Sequence, residues 1–222
     1  MRKISIKNHG VEVIKDRLYS RSQFAESVYG EKIIKKHEYF LHAWEPKKSK
    51  LSAAISDGIS RLPIEEDTET LYLGASSGTT VSHISDISND GKIFAIEVAP
   101  EPFSKLLNLS ENRRNIYPVM ANARIPDEYS FFLGHSPDFI YQDISQKDQT
   151  EILLRNMDAF PEWNYAIYML KAISIDSARK PEDVLNEQIS KLKKRKGIKI
   201  IETINISNFH RGHFCILLQN IT

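Results

Sequence analysis

The segment Leu71-Tyr72-Leu73-Gly74-Ala75-Ser76-Ser77-Gly78-Thr79-Thr80 runs from an apolar, strand-like stretch through two glycines into a hydroxyl-rich helix start. Glycine at such a turn lets the backbone approach a ligand closely. Glu97 ends the next strand-like stretch, 19 residues after Gly78. An acid at the tip of a second strand can accept both hydrogen bonds of a ribose diol. The segment and Glu97 together predict a nucleoside-containing cofactor, whereas the glycine pattern by itself is equally typical of a purely structural turn.

The spacing of the glycines distinguishes between nucleoside cofactors. Dinucleotide sites favour G-x-G-x-x-G, with a helix N-terminus aimed at a pyrophosphate. Here Gly74 and Gly78 are four residues apart, and hydroxyl side chains surround them. These hydroxyls suit the amino-acid end of S-adenosylmethionine better than a diphosphate, and they belong to Ser76, Ser77, Thr79 and Thr80. S-Adenosylmethionine is therefore the predicted cofactor, and a nicotinamide dinucleotide stays open as the alternative.

Short apolar stretches alternate with helical ones along the chain, which is typical of a parallel sheet covered on both faces. Strands are predicted at 70–73, 92–97, 116–120, 138–143, 165–171, 198–204 and 213–219, and helices near 79–87, 100–113, 147–159 and 181–196. No helical stretch separates the last two strands, so they should pair antiparallel. A seven-stranded, Rossmann-like α/β sheet ending in such a hairpin is the class I S-adenosylmethionine-dependent methyltransferase arrangement. We assign residues 46–222 to it and residues 1–45 to a small β-rich N-terminal subdomain.

The composition fits an intracellular protein with one sizeable domain. A chain of 222 residues with 41% hydrophobic content can bury one α/β core and a small extra element. The single cysteine, Cys215, excludes an internal disulfide and favours a reducing compartment. The charged start at residues 1–7 does not resemble a signal peptide, and no apolar stretch approaches the roughly 18 residues that span a bilayer. We therefore expect a soluble protein without a membrane partner.

The net charge of +1 conceals an uneven distribution of charge. Residues 1–50 carry twelve Lys or Arg against six Asp or Glu, and residues 179–199 carry eight against three. These two basic segments indicate surfaces that bind a polyanion, although ordinary solvated faces explain them equally well. The modest total charge argues against a protein that grips RNA unaided.

Several stretches, in order along nearly the whole chain, resemble the fibrillarin family in its short form without an arginine-glycine-rich tail. They are Ile14-Lys15-Asp16-Arg17-Leu18, Ser49-Lys50-Leu51-Ser52-Ala53-Ala54-Ile55, Tyr72-Leu73-Gly74-Ala75-Ser76-Ser77-Gly78-Thr79-Thr80-Val81-Ser82-His83, Ile140-Tyr141-Gln142-Asp143-Ile144-Ser145-Gln146, Lys171-Ala172-Ile173-Ser174-Ile175-Asp176 and the region of His213. The resemblance implies S-adenosylmethionine-dependent methylation of ribose 2′-hydroxyls in ribosomal RNA and, by extension, transfer RNA. The implied partners are a box C/D guide RNA, a Nop-domain scaffold protein and a kink-turn-binding ribosomal-type protein. The implied location is the cytoplasm of an archaeal-type cell, or the nucleolus of a eukaryotic one.

The resemblance also implies the site residues. The catalytic set falls on Lys50, Asp143, Lys171 and His213. The cofactor-binding set is Gly74, Ala75, Ser76, Gly78, Thr79, Thr80, Glu97, Val98, Asn122, Ala123, Asp143 and Gln146. The family usually has an acidic residue at the position of Asn122 and an aromatic one at that of Val98. An asparagine oxygen can still accept a hydrogen bond from the adenine amino group, so we expect weaker binding of the same cofactor.

The catalytic set suits a sugar hydroxyl, which is a poor nucleophile near neutral pH and needs help in losing its proton. Asp143 and Lys171 both end predicted strands at the ligand-bearing edge of the sheet, so we expect them to face each other. We hypothesise that Lys171 deprotonates or polarises the hydroxyl while Asp143 orients it. Lys50 and His213 would position the ribose. No cysteine or acid cluster accompanies His210 and His213, so no metal site is predicted.

Three other functions stay open at this point. A guide-independent RNA or small-molecule methyltransferase would act on naked substrate. A non-catalytic protein of a ribonucleoprotein would keep the fold without binding S-adenosylmethionine. A nicotinamide-dependent oxidoreductase would bind a dinucleotide, which the glycine spacing disfavours.

Overall fold

The computed structural model describes Ile4 and residues 6–222, so most of the charged start used in the signal-peptide prediction lies outside the described residues. Near the N-terminus, four strands form an antiparallel sheet in the order β1-β2-β4-β3. They are β1 (Val11–Ile14), β2 (Arg17–Ser22), β3 (Ile33–Lys35) and β4 (Phe40–Ala43). Lys15 and Asp16 join β1 to β2 with positive φ values of 50° and 59°, as a two-residue hairpin turn requires. The region predicted to be β-rich therefore contains strands, and its boundary at residue 45 stays a prediction.

A second sheet contains seven strands in the order β10-β11-β9-β8-β5-β6-β7. They are β5 (Thr70–Leu73), β6 (Ile93–Glu97), β7 (Ile116–Met120), β8 (Phe139–Gln142), β9 (Tyr165–Lys171), β10 (Ile198–Asn205) and β11 (His213–Asn220). Strands β5 to β9 pair parallel, whereas β11 lies antiparallel between β9 and β10. The predicted seven-stranded α/β sheet with a closing antiparallel hairpin is confirmed.

Helices cover both faces of the large sheet. They are α1 (Lys50–Ser56), α2 (Thr79–Ile87), α3 (Pro100–Asn112), α4 (Ser130–Leu133), α5 (Gln149–Ala159), α6 (Ala172–Ile175) and α7 (Pro181–Lys194), with a 3₁₀ turn at Pro126–Glu128. The short helices α4 and α6, of four residues each, were not predicted, because a single turn leaves no periodic apolar pattern. None of the helices within residues 6–222 is long and apolar enough to cross a membrane.

Strand alternation decides which side chains reach the candidate site. Tyr141 of β8 and Met169 of β9 belong to one hydrophobic core, on the sheet face that α1 covers. Side chains two residues apart in a strand point to the same face. Asp143 and Lys171 therefore share that face at the carboxyl edge of the sheet. His213 lies there too, because it is directly opposite Lys171 in the register of β11 and β9.

Candidate active site

Two glycines shape the turn from β5 into α2. Gly74 has φ +83°, and a β-carbon there would lie 2.5 Å from the carbonyl oxygen of Asp143. Gly78 has φ +90°, and a β-carbon there would lie 2.5 Å from the side chain of Leu109. Real β-carbons essentially never come closer than 3.0 Å. The turn therefore requires glycine at both positions, and at Gly74 it brings the ends of β5 and β8 into direct contact.

Backbone amides hold the Glu97 carboxylate at the end of β6. Its Oε2 accepts a hydrogen bond from Ser76 N at 2.7 Å. Its Oε1 accepts from Val98 N at 2.9 Å and from Ala99 N at 2.8 Å. A carboxylate offers about four acceptor positions. The three amides fix the direction of the carboxylate and leave roughly one position for a ligand.

A crevice of about 200 Å³ opens between the loops that follow β5, β6, β7 and β8. Successive strand connections leave in opposite directions at β5 and β8, and open α/β sheets bind ligands at such a switch point. The lining residues are Gly74, Ser76, Ile96, Glu97, Val98, Ala121, Asn122, Ala123, Arg124, Asp143, Ile144, Ser145, Gln146 and Ile152. Eight of the twelve residues predicted to bind the cofactor are among them. The other lining residues follow or precede these directly in the chain, except Ile152 on α5.

The remaining four predicted cofactor residues lie beside the crevice. Ala75 and Thr80 are buried, and the Thr80 hydroxyl lies 3.0 Å from the Ser49 hydroxyl. Gly78 is the left-handed N-cap of α2. Thr79 lines a separate, larger cavity of about 670 Å³ between α3 and the segment that follows β2. That cavity lacks the Glu97 carboxylate, so the smaller crevice is the better candidate for a nucleoside.

Neighbouring groups orient Asn122 in the wall of the crevice. Its Oδ1 accepts a hydrogen bond from Arg124 N at 3.1 Å, and its backbone N donates to Glu128 Oε2 at 3.1 Å. An amide oxygen has two lone pairs. The Asn122 oxygen therefore keeps one acceptor position for a donor on a ligand.

An ion pair outside the predicted set joins two walls of the crevice. Arg124 donates from Nε and Nη2 to the two carboxylate oxygens of Asp148, each at 2.7 Å, and Nη2 lies 3.3 Å from Gln146 Oε1. The hydrogen bond from Arg124 lowers the pKa of Asp148 and raises the pKa of Arg124 itself. Both side chains are 37% exposed, so the pair adds little to stability. Its two-point geometry instead fixes the two loops relative to each other.

Helix α1 presents Lys50 to the end of β8. Ser49 caps this helix, since its hydroxyl accepts a hydrogen bond from Ser52 N. Lys50 Nζ lies 2.8 Å from Asp143 Oδ2, and the two side chains are 22% and 16% exposed. Because Asp143 also lines the crevice, this ion pair connects the crevice to the polar cluster formed by Lys50, Lys171 and His213.

Lys171 is fixed through its backbone. Its N donates to Gln149 Oε1 at 2.8 Å, and its carbonyl accepts from Gln149 Nε2 at 3.2 Å. Among the residues whose placement is described, its ammonium forms no ion pair, and the Asp143 carboxylate pairs with Lys50. Asp143 and Lys171 thus share one edge and one face of the sheet, and the described ion pair of Asp143 is with Lys50.

His213 presents an unpartnered acceptor beside Lys171. Its Nδ1 donates to the Arg211 carbonyl at 3.0 Å, so Nε2 carries the lone pair of the neutral ring. Burial lowers the pKa of His213, and the charge of Lys50 acts in the same direction. Nε2 is buried and has no hydrogen-bond partner among the described side chains and backbone. A neutral His213 can therefore accept a hydrogen bond from a ligand hydroxyl.

His210 packs edge to face against His213, with ring centroids 5.9 Å apart, and its ring nitrogen is engaged elsewhere. Its Nε2 donates to the Pro46 carbonyl at 2.7 Å, which ties the β10–β11 connection to the segment before α1. The described part of the chain contains no group of three or more His, Cys, Asp or Glu that could hold a metal ion. Hydrogen-bonding and charged side chains make up the cluster of Lys50, Lys171 and His213.

Dehydrogenase-type sheets are not expected to end in a hairpin, whereas here β11 is inserted antiparallel between β9 and β10. This topology, with the glycine turn after β5 and Glu97 at the end of β6, places the chain among the class I methyltransferases. Comparison with family models is more specific. The fibrillarin model matches residues 7–221, and the chain belongs to the fibrillarin family.

Individual relatives agree with this membership. A protein of Thermoplasma acidophilum named fibrillarin-like rRNA/tRNA 2′-O-methyltransferase is 46% identical over 206 residues, which is 93% of this chain and 87% of its own length. A fibrillarin solved in a fibrillarin/Nop5p complex has a TM-score of 0.89 at 37% identity, covering 98% of this chain and 100% of that one. Aeropyrum pernix fibrillarin, solved with natively bound S-adenosyl-L-methionine, has a TM-score of 0.83 at 33% identity, covering 98% and 99%. The resemblance found in the sequence is thereby confirmed.

Proposed function

We propose that this chain transfers a methyl group from S-adenosylmethionine to ribose 2′-hydroxyls of ribosomal and transfer RNA within a ribonucleoprotein. The Lys50–Asp143 ion pair at 2.8 Å carries the proposal, because Asp143 also lines the crevice beside Gly74. A group bound in the crevice would therefore adjoin the cluster that contains Lys171 and His213. Membership of the fibrillarin family supports the same conclusion, because the Thermoplasma acidophilum relative is named for this activity.

The crevice residues suit the nucleoside part of the cofactor. Glu97 would accept one hydrogen bond from the ribose diol at its remaining acceptor position. A second hydrogen bond from the diol would replace one of the three backbone N–H donors. The free lone pair of Asn122 Oδ1 would accept from the adenine amino group. The volume of about 200 Å³ is below that of most pockets for a whole ligand, so the remainder of the cofactor would extend past Gly74 toward Asp143. When bound, S-adenosylmethionine supplies an electrophilic methyl group on a positively charged sulfur.

The polar cluster would manage the proton of the acceptor hydroxyl. Lys50 neutralises Asp143 and fixes its carboxylate at the end of the crevice. Lys171, whose side chain is left without a charged partner within residues 6–222, would polarise the 2′-hydroxyl as an ammonium group or take its proton as the neutral amine. The oxygen then attacks the methyl group, and the thioether of the demethylated cofactor is the leaving group. His213 Nε2 would accept a hydrogen bond from the ribose and so hold the hydroxyl in place.

We assign the choice of target to partners. Three of the eight basic residues in 179–199 form ion pairs, which are Arg179–Glu187 at 2.6 Å, Lys191–Glu151 at 2.8 Å and Arg195–Asp158 at 2.8 Å. This stretch is therefore less available to RNA than its composition indicates. A box C/D guide RNA would select the ribose, and a Nop-domain scaffold and a kink-turn-binding protein would complete the particle. A relative solved in a fibrillarin/Nop5p complex supports the scaffold, and archaeal relatives support a cytoplasmic particle.

Reconstitution tests this function. The full chain, combined with a Nop-domain scaffold, a kink-turn-binding protein, a box C/D guide and S-adenosylmethionine, should methylate one target ribose that mapping at nucleotide resolution identifies. A methyl group on a base would contradict the proposal. Equal methylation without guide and scaffold would support a guide-independent methyltransferase. A lack of S-adenosylmethionine binding in calorimetry would support a non-catalytic protein.

A further inference from the structure

The amide side chain of Gln149 joins the end of β9 to the loop that follows β8. Gln149 is the first residue of α5 and is fully buried. Its Oε1 accepts a hydrogen bond from Lys171 N at 2.8 Å, and its Nε2 donates to the Lys171 carbonyl at 3.2 Å. Nε2 also donates to the Gln146 carbonyl at 2.7 Å. An amide nitrogen has two hydrogens, so both donors of this buried group are used.

The backbone of Lys171 receives these hydrogen bonds because the neighbouring strand β8 is too short to reach it. Gln142, the last residue of β8, pairs with Tyr168, so β8 ends before it comes level with Lys171. On the other side of β9, His213 of β11 lies opposite Lys171. The Gln149 amide pairs with both backbone groups of Lys171, as a peptide group of a longer β8 would. Gln149 therefore completes the sheet at the end of β9.

The same residue belongs to a hydrogen-bonded network that spans the loop after β8. Gln142 Nε2 donates to the Gln149 carbonyl at 2.6 Å, and the Gln142 side chain is also fully buried. The network thus connects both ends of the loop, and the bond to the Gln146 carbonyl fixes its middle. Residues 143–146 of this loop line the crevice. A displacement of Lys171 relative to the crevice would have to break buried hydrogen bonds.

The Lys171 side chain depends on this backbone anchor for its position. No ion pair within the described part of the chain holds its ammonium, and the Asp143 carboxylate pairs with Lys50. Because the lysine stem is flexible, the reach of the ammonium is set by the backbone from which it extends. A misplacement of about 1 Å can slow a reaction by about 100-fold. The distance from Lys171 to a group bound in the crevice therefore depends on the Gln149 hydrogen bonds.

We propose that Gln149 is a positioning residue for methyl transfer, which holds Lys171 at a fixed distance from the loop that lines the crevice. This inference rests on the proposed function, which gives Lys171 its task. Gln149 is not among the residues that line the crevice, and it contacts Lys171 through the backbone, so it acts through that lysine. Removing its amide should slow the methyl-transfer step and leave the affinity for S-adenosylmethionine nearly unchanged.

Single-turnover methyl transfer in the reconstituted particle, at saturating S-adenosylmethionine and well below the Tm, tests the assignment. Gln149→Met keeps the length of the side chain and removes its three hydrogen bonds. Transfer should slow by about 30-fold, as expected for a small misplacement. The Kd for S-adenosylmethionine in calorimetry should rise by no more than about fivefold, the effect of losing the one hydrogen bond to Gln146. The matched control is Gln188→Met on α7, which should transfer at the wild-type rate, because Gln188 is equally buried and its amide donates to Glu187.

A double-variant cycle separates positioning from general support of the fold. If Gln149 acts through Lys171, Gln149→Met should cause no further loss in a Lys171→Ala background. A purely structural effect would instead multiply with the loss from Lys171→Ala. Gln149→Asn keeps the amide but shortens the side chain by one methylene, and it should slow transfer by about tenfold. This variant carries the same cycle if the methionine variant does not fold.

The contrary results are distinct. Near-normal transfer in Gln149→Met, or losses that multiply in the cycle, would overturn the positioning role and leave the proposed function intact. A rise in Kd as large as the loss in rate would show that Gln149 supports the cofactor loop, and would equally overturn the role. Near-normal transfer in Lys171→Ala would remove the residue through which Gln149 acts. A wild-type particle that transfers no methyl group to the RNA would overturn the proposed function and this inference together.

Discussion

Replacing Gly74 with alanine should destabilise the fold and weaken cofactor binding together. The new β-carbon would lie 2.5 Å from the Asp143 carbonyl oxygen, so the contact must open by 0.5 Å to reach 3.0 Å. A left-handed conformation costs a non-glycine residue about 1–2 kcal/mol. Overpacking against a fixed neighbour typically costs about 1–3 kcal/mol more. The two contributions give a loss of about 2–5 kcal/mol in the free energy of unfolding.

Two measurements read out this change. Each kcal/mol lowers the Tm of a chain of this size by about 2–4 °C, so the Tm of Gly74→Ala should fall by roughly 4–20 °C. The loops after β5 and β8 must separate to relieve the contact, and both line the crevice. The Kd for S-adenosylmethionine, measured by calorimetry well below the Tm, should therefore rise about tenfold or more, which corresponds to about 1.4 kcal/mol.

Gly30 provides a matched control for the backbone contribution. It also has φ +83°, but no heavy atom lies within 4 Å of a β-carbon built there. Gly30→Ala should therefore lose only the conformational part, about 1–2 kcal/mol, and bind the cofactor normally. A Gly74→Ala variant that is no less stable than Gly30→Ala and retains wild-type affinity for S-adenosylmethionine would refute this role of Gly74.

Three further perturbations test other parts of the site and fold. Lys171→Ala should slow single-turnover methyl transfer by about 100-fold or more with unchanged cofactor affinity in calorimetry, and near-normal transfer would reject its role. Asp148→Asn should raise the Kd for S-adenosylmethionine by no more than about fivefold, since exposed pairs are worth about 0.2–1 kcal/mol, and a larger rise would mean that the pair touches the ligand. Burial holds the pKa of His83 well below 6.5 in the folded protein. As the pH falls, the imidazole of residue 83 is therefore protonated in the unfolded chain before it is protonated in the folded protein. The free energy of unfolding is highest above about pH 6.5 and decreases as the pH falls below that value. In urea unfolding at two pH values, one above and one below about 6.5, the free energy of unfolding should decrease less in His83→Gln than in the wild type.

The centre of the large sheet was predictable because its strands are buried on both faces and so appear as continuous apolar stretches. All four residues of β8 and the central residues of β9 are buried. The terminal hairpin followed from the short, non-helical connection before His213. Part of the crevice could be predicted in the same way, because Gly74 and Glu97 follow or end neighbouring strands and must meet at one edge of the sheet. These are consequences of local pattern and sheet topology.

The ion pairs of the site were not predictable, because they depend on how distant segments pack. Lys50 and Asp143 are 93 residues apart, and Lys50 lies on a helix that precedes the sheet. The shared edge of Asp143 and Lys171 was inferred from neighbouring strand ends, whereas the approach of α1 from outside the sheet has no signal in the strand pattern. Arg124 and Asp148 likewise lie on different loops, with no local pattern to link them.

A buried carboxylate connects the N-terminal strands to the cofactor turn. Asp86 of α2 accepts from the hydroxyls of Ser20 and Ser22 on β2 and from the Arg113 guanidinium at the end of α3, each at 2.6 Å. A buried charge that loses its donors costs several kcal/mol, so α2 depends on β2 as much as on α3. Because α2 begins at the glycine turn beside the crevice, Asp86 links β2 (Arg17–Ser22) to the helix that leaves that turn.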